Sequence, residues 1–456
     1  MGKDNSKVND VERSGNLYQL AGKPPLGEAL PLALQHVAAM IVGCVTPAII
    51  LSATGGLSAA DSRILIQAAL IISGIATLLQ ITHPFGKIGS GLPIIMGVSF
   101  AYLPTMLGIV QEYNLNTILG SQLIAGCIGI IIGIFIKYLR KFFPPVVTGT
   151  VIFTIGLSLF PTAVRYMAGG AGSANFSSPQ NWICALLTMF LVLFFNNFTR
   201  GFTKLASILL AMIIGYVIAI PMGLVDVSSV GSARWFMLPA VGHFALEFHA
   251  PAIISLSVIM VVGSVEALGQ FSALSVGALN REPTTEELSH GLIANGLSTL
   301  LGGFFGGLPT STFGQNVGIV ITNKVVNRAV IGIAACFLLI AGFVPKISAI
   351  LLSIPSSVLG GATISVFATI TMTGIRLFTT DGLTMRTQAI VGISAALGMG
   401  ITSVQGSLAL LPAWMNSLFG NSAVVVATIM AILLNIILPK DAPAAAKAEK
   451  VSAEGK

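Results

Sequence analysis

The stretch "GLPTSTFGQNVGIVITNK", residues 307–324, places polar and turn-forming residues between long apolar runs. Pro309 and three hydroxyl residues precede Gln315 and Asn316. Irregular polar backbone at membrane depth is tolerated only where it is buried in protein or lines a cavity. The segment therefore predicts a broken helix at a polar site inside a very apolar protein.

The composition of the whole chain supports this setting. Of the 456 residues, 54% are hydrophobic and 9% are charged, against about 25% charged residues in a soluble domain. The net charge of +7 comes from basic residues spread over loops and tails, which membrane orientation explains better than nucleic-acid binding. The four cysteines lie in or beside apolar runs without ligand spacing, so we expect no disulfide framework, no metal site and no cofactor.

Apolar runs near the length of about 20 residues needed to cross a bilayer predict an all-α polytopic membrane protein with fourteen transmembrane segments. The third and tenth segments are short or broken by Gly and Pro; omitting them gives an alternative of twelve. The segments are 29–51, 63–82, 89–107, 118–136, 144–160, 182–196, 203–222, 252–275, 289–306, 312–323, 329–344, 347–372, 387–403 and 421–438.

The orientation follows from the basic residues of the loops. An even number of spans puts both termini on one side, whose connecting loops carry eleven basic residues, Arg140 and Lys141 among them, against four on the other side. The positive-inside rule then predicts cytoplasmic termini in the plasma membrane, whereas twelve spans would spoil this charge pattern. Residues 1–27 lack the apolar core of a cleavable signal peptide, and residues 441–456 read as a disordered tail.

Three pairs of similar segments recur in the same order along the chain. "GIATLL" (74–79) matches "GLSTLL" (296–301), "GLPIIMGVS" (91–99) matches "GLPTSTFGQ" (307–315), and "PPVVTG" (144–149) matches "PSSVLG" (355–360). The offsets of 222, 216 and 211 residues indicate a duplication. Because each half has seven spans, the second half must insert with inverted topology, which is a transporter architecture.

The repeat also predicts where a ligand would bind. In inverted-repeat transporters, interrupted short helices at equivalent positions of the two halves meet at the substrate site near the midplane. Here that pair is 91–104 and 307–322, with a helix N-terminus near Gln315 that can receive a polar group. The alternative is a pair of kinked structural helices without a ligand.

Few ionisable residues lie inside the apolar segments. Glu266, in "SVIMVVGSVEALGQFSALSVG", is the only one of 16 acidic residues deep within a span. A carboxyl inside the membrane costs free energy, so Glu266 predicts a functional site. Burial favours its protonated form, so it could carry a proton. The alternative is a carboxyl with a structural role. His36 is the one histidine well inside a span, equally compatible with a structural role. Gln270 lies one helical turn after Glu266 on the same face, and Asn295 adds a third polar group.

Four separated motifs resemble the nucleobase–ascorbate transporter family. "QNVGIVITNK" (315–324) resembles its signature through Gln315, Asn316, Gly318 and Thr322. "LQHVAAM" resembles the Gln-His pair of the first helix of the family, "SVEALG" its eighth-helix glutamate motif, and "FPPVVTGTVIFTIGLSL" its fifth helix. The resemblance covers about residues 23–440.

The resemblance implies a 7+7 inverted repeat with a core domain that holds the substrate and a gate domain that makes a homodimer contact. The expected boundaries are a cytoplasmic segment 1–27, core spans 1–4 in 28–137, gate spans 5–7 in 138–225, core spans 8–11 in 250–345, gate spans 12–14 in 346–440, and a tail 441–456.

The resemblance also implies a function and site residues. The chain would import a purine nucleobase, xanthine or uric acid, by proton symport with alternating access. Glu266 and Gln315 would hydrogen-bond the base edge, Phe100 would stack on the ring beside Ser99, and His36 and Asn316 would orient the site. A carboxyl and an amide can read the donors and acceptors of a base edge, and an aromatic face can stack on it.

Two neutral amides depart from the family pattern. Bacterial xanthine-type members commonly have an acid where this chain has Asn295. At the place of Gln270, some members have an acid, and uracil-type members have a histidine. Glu266 is then the only acid of the expected core, so sodium coupling and facilitated transport without a coupling ion are alternatives to proton coupling. Gln315 rather than Glu favours purines, and a uracil permease is the second candidate substrate class.

Other classes of protein fit the sequence less well. An inorganic-anion transporter on a related fold should place a cation or bare helix N-termini at the site, and Glu266 speaks against it. An enzyme would need a nucleophile–base pair or a metal cluster, and no such cluster of His, Cys or Asp is visible in the sequence. A channel would need no carboxyl–amide pair.

Overall fold

A computed structural model describes residues 16–139, 144–170, 172–380, 382–404 and 406–439. The loop residues Arg140 and Lys141, most of the expected N-terminal segment and the expected tail at 441–456 lie outside the described residues.

The described chain is almost entirely helical, with one pair of very short strands. Three 3₁₀ turns lie at Asn16–Tyr18, Pro84–Gly86 and Phe100–Tyr102. The helices and strands, in chain order, are α1 (Leu26–Thr54), α2 (Ala59–Thr82), β1 (Met96–Val98), α3 (Leu103–Glu112), α4 (Leu115–Leu139), α5 (Pro145–Met167), α6 (Pro179–Phe198), α7 (Phe202–Leu205), α8 (Ser207–Ala219), α9 (Ser228–Ser232), α10 (Ala250–Leu279), α11 (Thr285–Phe305), β2 (Thr310–Thr312), α12 (Gly314–Asn323), α13 (Arg328–Gly342), α14 (Pro345–Leu352), α15 (Ser356–Phe378), α16 (Met385–Ser403), α17 (Ala413–Phe419) and α18 (Ala423–Ile437).

The two broken segments meet as an antiparallel pair of strands. β1 pairs with β2 in the register Met96↔Thr312, and the bonds continue outward with Phe313 N–H donating to Ile95 O and Ser99 N–H donating to Pro309 O, each at 3.0 Å. The repeat offset of 216 residues also carries Met96 onto Thr312. The local two-fold axis that relates the halves therefore passes through the pair Met96 and Thr312. The backbone groups left free where the two helices are broken form hydrogen bonds with each other.

Equivalent threonines of the first pair of similar segments each connect a short strand to a helix. Thr77 Oγ1 accepts from Met96 N–H at 3.0 Å and so ties β1 to α2. Thr299 Oγ1, 222 residues later, accepts from Thr310 N–H at 3.4 Å and ties β2 to α11.

The equivalent glycines of the third similar segment also have equivalent partners. A Cβ on Gly149 of α5 would lie 2.5 Å from the Phe378 nitrogen of α15, and a Cβ on Gly360 of α15 would lie 2.3 Å from the Met167 nitrogen of α5. Gly149 and Gly360 are 211 residues apart, as are Met167 and Phe378. Only glycine permits this backbone approach, so the duplication read from the sequence is confirmed by packing.

Following the expected domains, we name two groups of helices the core (α1–α4 and α10–α13) and the gate (α5–α8 and α14–α18), although α14 itself packs on α2 and α13 of the core. In the core, α4 packs along α11 and α2 along α13; in the gate, α5 packs along α15 and α16 along α18. We call the side on which α1 begins the N-terminal face and the other side the opposite face. The exact domain boundaries stay a prediction.

The spans differ in detail from the expected segments. Among the described residues, seven helices are long and apolar enough to cross a membrane, or nine if each sharply bent pair counts as one span. The expected span 347–372 is divided at Pro355, which cannot donate a helical hydrogen bond, into α14 and α15, and α14 bends by 81° from α13. The expected span 421–438 begins after a 92° bend that sets α17 apart from α18.

Candidate functional site

The predicted carboxyl, Glu266, lies midway along α10 and is partly buried. One turn later, Gln270 donates from Nε2 to Glu266 Oε1 at 3.4 Å, which confirms that the two side chains share a helix face. A Cβ on Gly314 would lie 3.2 Å from Gln270 Nε2. The carboxyl–amide pair of α10 therefore abuts the start of α12, immediately before Gln315.

Gln315 occupies the first turn of α12, where the chain leaves β2 and becomes helical. The first backbone bonds of this turn run from the N–H groups of Asn316 and Val317 to Phe313 O, each at 3.1 Å. The N–H groups of Gly314 and Gln315 precede these bonds, so they can serve a ligand. The Gln315 side chain is exposed to a cavity of about 570 Å³ between core and gate.

This cavity extends from the site toward the N-terminal face. Its core wall includes Ala39 of α1 and Ile319 of α12, and its gate wall includes Asn196 of α6, Lys204 of α7 and Thr369 of α15. A volume of several hundred Å³ with apolar walls and a few polar groups is typical of a small-molecule site. Glu266 does not line this cavity, but lies behind Gln270 and Gly314.

Two aromatic rings stand where the broken segments turn back into helix. Phe100 follows β1, is 9% exposed and meets Phe367 of the gate edge-to-face at 5.5 Å between ring centroids. Phe313 follows β2, and its ring fills the space that side chains at Gly43 and Gly97 would take, since a Cβ at those positions would lie 2.9 Å and 2.6 Å from the ring. Sequence reasoning missed Phe313; its position directly before Gln315 was the available signal.

His36 and Asn316 form a buried pair between α1 and α12. Asn316 Nδ2 lies 3.0 Å from His36 O and 3.1 Å from His36 Nδ1, and both residues are at most 2% exposed. A carbonyl oxygen can only accept, so the group that faces it must be the amide nitrogen. His36 Nδ1 is then the acceptor of the second amide hydrogen, and the imidazole proton sits on Nε2.

The remaining predicted residues lie farther from Gln315 or serve the backbone. Ser99 Oγ accepts from Ala101 N–H at 3.2 Å and caps the turn that carries Phe100. Thr322 Oγ1 donates to Gly318 O at 2.8 Å, about 10 Å along the helix axis from Gln315. Gly318 faces open space.

Asn295 of α11 is completely buried, and neither its Oδ1 nor its Nδ2 has a hydrogen-bond partner among the described residues. The structure does not join it to Glu266 or Gln315. Across the described ranges, no group of three or more His, Cys, Asp or Glu side chains could hold a metal ion.

Comparison with known proteins places this chain in a family. The sequence model of a permease family matches residues 27–408. The xanthine permease of Bacillus subtilis (strain 168) is 37% identical over 414 residues, covering 90% of this chain and 94% of the relative. The uric acid permease PucK of the same organism is 36% identical over 419 residues, covering 91% and 96%.

The fold itself is shared with a more distant solved structure. The transmembrane domain of the cyanobacterial bicarbonate transporter BicA superimposes with a TM-score of 0.58 at 16% identity, covering 92% of this chain and all of that one. It has the same 7+7 inverted-repeat fold. With the motif residues gathered at the crossing of the broken helices and the family model matched over most of the chain, the protein belongs to the nucleobase–ascorbate transporter family.

Proposed function

We propose that this protein is a secondary transporter that imports a purine nucleobase, xanthine or uric acid, by proton symport with alternating access. The observation that carries the proposal is the position of Gln315. Its amide lies at a helix N-terminus, faces the cavity and adjoins the Glu266–Gln270 pair through Gly314.

This arrangement suits a planar heterocycle with alternating donors and acceptors. The Gln315 amide offers both kinds of group, and the carboxyl behind it can donate when protonated and accept when ionised. Phe100 and Phe313, which follow the two short strands, are proposed to offer an aromatic face to the base, and stacking on such a face is worth about 1–3 kcal/mol per base. Names of relatives at 36–37% identity favour a purine over uracil.

Proton coupling rests on Glu266 as the carboxyl that changes charge. His36 is proposed to orient α12 rather than to relay protons, because a proton on Nδ1 would oppose the Asn316 amide hydrogen that this nitrogen accepts. Asn295 supplies neutral atoms only, so sodium coupling is the alternative.

An inorganic-anion transporter remains the more remote candidate. The BicA likeness concerns the fold at 16% identity, and the Glu266 carboxyl behind the start of α12 disfavours an anion. We also propose a plasma-membrane location with cytoplasmic termini and a second copy of the chain against the gate helices.

The test is uptake of radiolabelled xanthine and uric acid into vesicles under an imposed pH gradient without sodium. Glu266→Gln keeps the volume and removes the titratable proton, so we expect accumulation to collapse while the protein still reaches the membrane. A protonophore should likewise abolish accumulation by the unmodified protein. Uptake that ignores the protonophore and follows an inward sodium gradient would instead establish sodium coupling, and uracil uptake without purine uptake would reverse the choice of substrate.

A further inference from the structure

The interface between core and gate is open on one face and closed on the other. At the N-terminal face, the cavity of about 570 Å³ separates α1 and α12 from α6, α7 and α15. At the opposite face, α3 and α10 of the core meet α17 and α18 of the gate, and a void of about 10 Å³ lies among Ile109, Ser255 and Ser422. A void of that size barely accommodates one water molecule.

The buried part of this closed contact is a hydroxyl pair. Thr105 of α3 and Ser422, which caps α18, lie 2.9 Å apart through their Oγ atoms and are 1% and 3% exposed. One turn farther along α3, a Cβ on Gly108 would lie 2.4 Å from Asn421 O. The two backbones therefore touch, and no side chain or solvent fits between them.

The outer part of the contact is a carboxylate that accepts two hydrogen bonds across the interface. Glu112, the last residue of α3, accepts from Ser417 Oγ of α17 and from Asn421 Nδ2. Both donors belong to the gate and the acceptor belongs to the core. Hydrogen bonds to an ionised acceptor are stronger than neutral ones, although exposure at the surface weakens them.

The same helix connects this contact to the site. α3 follows directly on the 3₁₀ turn that carries Phe100, and Phe100 meets Phe367 of the gate. If the core and the gate each move as a rigid unit, a movement that separates α3 from α17 and α18 also moves Phe100 relative to that gate ring.

We propose that Glu112 and Thr105, with Ser417, Asn421 and Ser422, form a latch that closes the substrate site toward the opposite face. Alternating access requires the latch to open so that the site can load from that side. The five side chains are gating residues, since none of them lies beside Gln315 or Glu266. The assignment rests on the transport function proposed above, but its test does not use a substrate.

The test is the accessibility of a cysteine placed in the closed interface. Ser255→Cys puts a thiol at the void, and its reaction with a hydrophilic maleimide is followed on purified protein in lipid nanodiscs. Protein without this substitution gives the background from the native cysteines. Glu112→Ala in the Ser255→Cys protein should speed labelling about threefold to tenfold, since loss of one or two hydrogen bonds shifts a two-state equilibrium by about that factor.

Glu247→Ala is the matched control. Glu247 lies on the same face and accepts from Asn114 and Asn116, but these partners belong to the core, so labelling should stay at the unmodified rate. Equal labelling with and without Glu112, or the same increase in both variants, would overturn the latch. If purines fail to bind while Glu112→Ala still accelerates labelling, the proposed substrate is wrong and the latch stands.

A second variant keeps the carboxylate in place. The hydroxyl separation of 2.9 Å puts residues 105 and 422 close to the span that a disulfide bridges. The protein for this test carries Thr105→Cys, Ser422→Cys and Ser255→Cys together. Oxidation should join residues 105 and 422 and hold the interface shut, so maleimide labelling at position 255 should stop. Reduction of the disulfide should restore the labelling. Continued labelling of a fully bridged sample would contradict the proposal.

Discussion

Asn316 gives both hydrogens of its side-chain amide to one residue, His36, at the carbonyl oxygen and at Nδ1. Two separate motifs of the sequence, 280 residues apart, are therefore one structural unit that fixes α12 against α1. The pair also fixes the imidazole tautomer, because an amide nitrogen that faces a carbonyl cannot be exchanged for an oxygen without placing two acceptors together.

Asn316→Asp should abolish this arrangement. A carboxylate would face His36 O, so α12 should shift and uptake should fall at least about tenfold, since a buried acceptor without a donor costs about 1–3 kcal/mol. The measurement is initial uptake rate normalised to protein in the membrane.

Asn323→Asp is the control on the same helix. Asn323 Nδ2 donates to Gln35 Oε1 at 3.2 Å, and Gln35 can turn its own amide to donate to the new carboxylate. We expect near-normal uptake from this variant. Equal loss in both variants would mean that a charge anywhere on α12 is harmful and that the His36 contact is not specific.

Gln315→Glu should change which bases compete for the site. The substitution keeps the shape and replaces an NH₂ donor with an oxygen, so bases that present an acceptor to this position should bind more weakly. Inhibition constants for xanthine, uric acid and uracil against one labelled purine provide the measurement. Thr322→Val, which removes only a bond to its own helix, should leave the order of the inhibitors unchanged; an unchanged order in Gln315→Glu would make Gln315 structural.

Gly97→Ala should displace the Phe313 ring. The new Cβ would lie 2.4 Å from Cys44 Sγ and 2.6 Å from the ring, and overpacking of this kind costs about 1–3 kcal/mol. We expect the KM for the purine to rise about tenfold with little loss of protein. Gly392→Ala in α16, where nothing lies within 4 Å of the added Cβ, should transport normally. A normal KM in Gly97→Ala would show that the position of the Phe313 ring is unimportant.

Glu247 should hold the segment 233–249, which connects α9 to α10, on the core in a pH-dependent way. Hydrogen bonds from Asn114 and Asn116 keep the pKa of this carboxyl below its usual range. A carboxyl whose pKa is lower in the folded than in the unfolded state stabilises the fold at pH values above its unfolded-state pKa of about 4.3. This stabilisation is lost as the pH falls through the folded-state pKa. Proteolysis within 233–249 should therefore accelerate below about pH 4.

Asn114→Ala removes the first of these donors, so cleavage should begin at a higher pH than in the unmodified protein. Asp226→Ala serves as a control, because Asp226 bonds only to nearby Ser228 in the described chain and lies before the segment. A cleavage profile that does not change with pH, or that shifts equally in both variants, would contradict the role of Glu247.

The sequence by itself determined most of the architecture. Hydrophobic runs located the helices because burial in a bilayer acts on each segment separately, and the similar segments revealed a duplication that the paired contacts of Thr77 and Thr299 confirm. Glu266 and Gln315 stood out because polar residues are rare at that depth.

Only the tertiary structure decided how these residues meet. Residues far apart in the chain meet in the pairing of β1 with β2 and in the packing of the Phe313 ring against Gly43 and Gly97. The same is true of the His36–Asn316 pair, which fixes the tautomer, and of the contact of Glu112 with α17 and the bend that follows it. The hydrophobicity of one segment does not show which distant segment it packs against. Each of these contacts depends on how two helices pack in three dimensions, and the residues between them in the sequence do not determine that packing. Pro355 shows the converse: a local rule divided one expected span, and packing then placed α14 against α2 and α13 of the core but α15 against α5 and α6 of the gate.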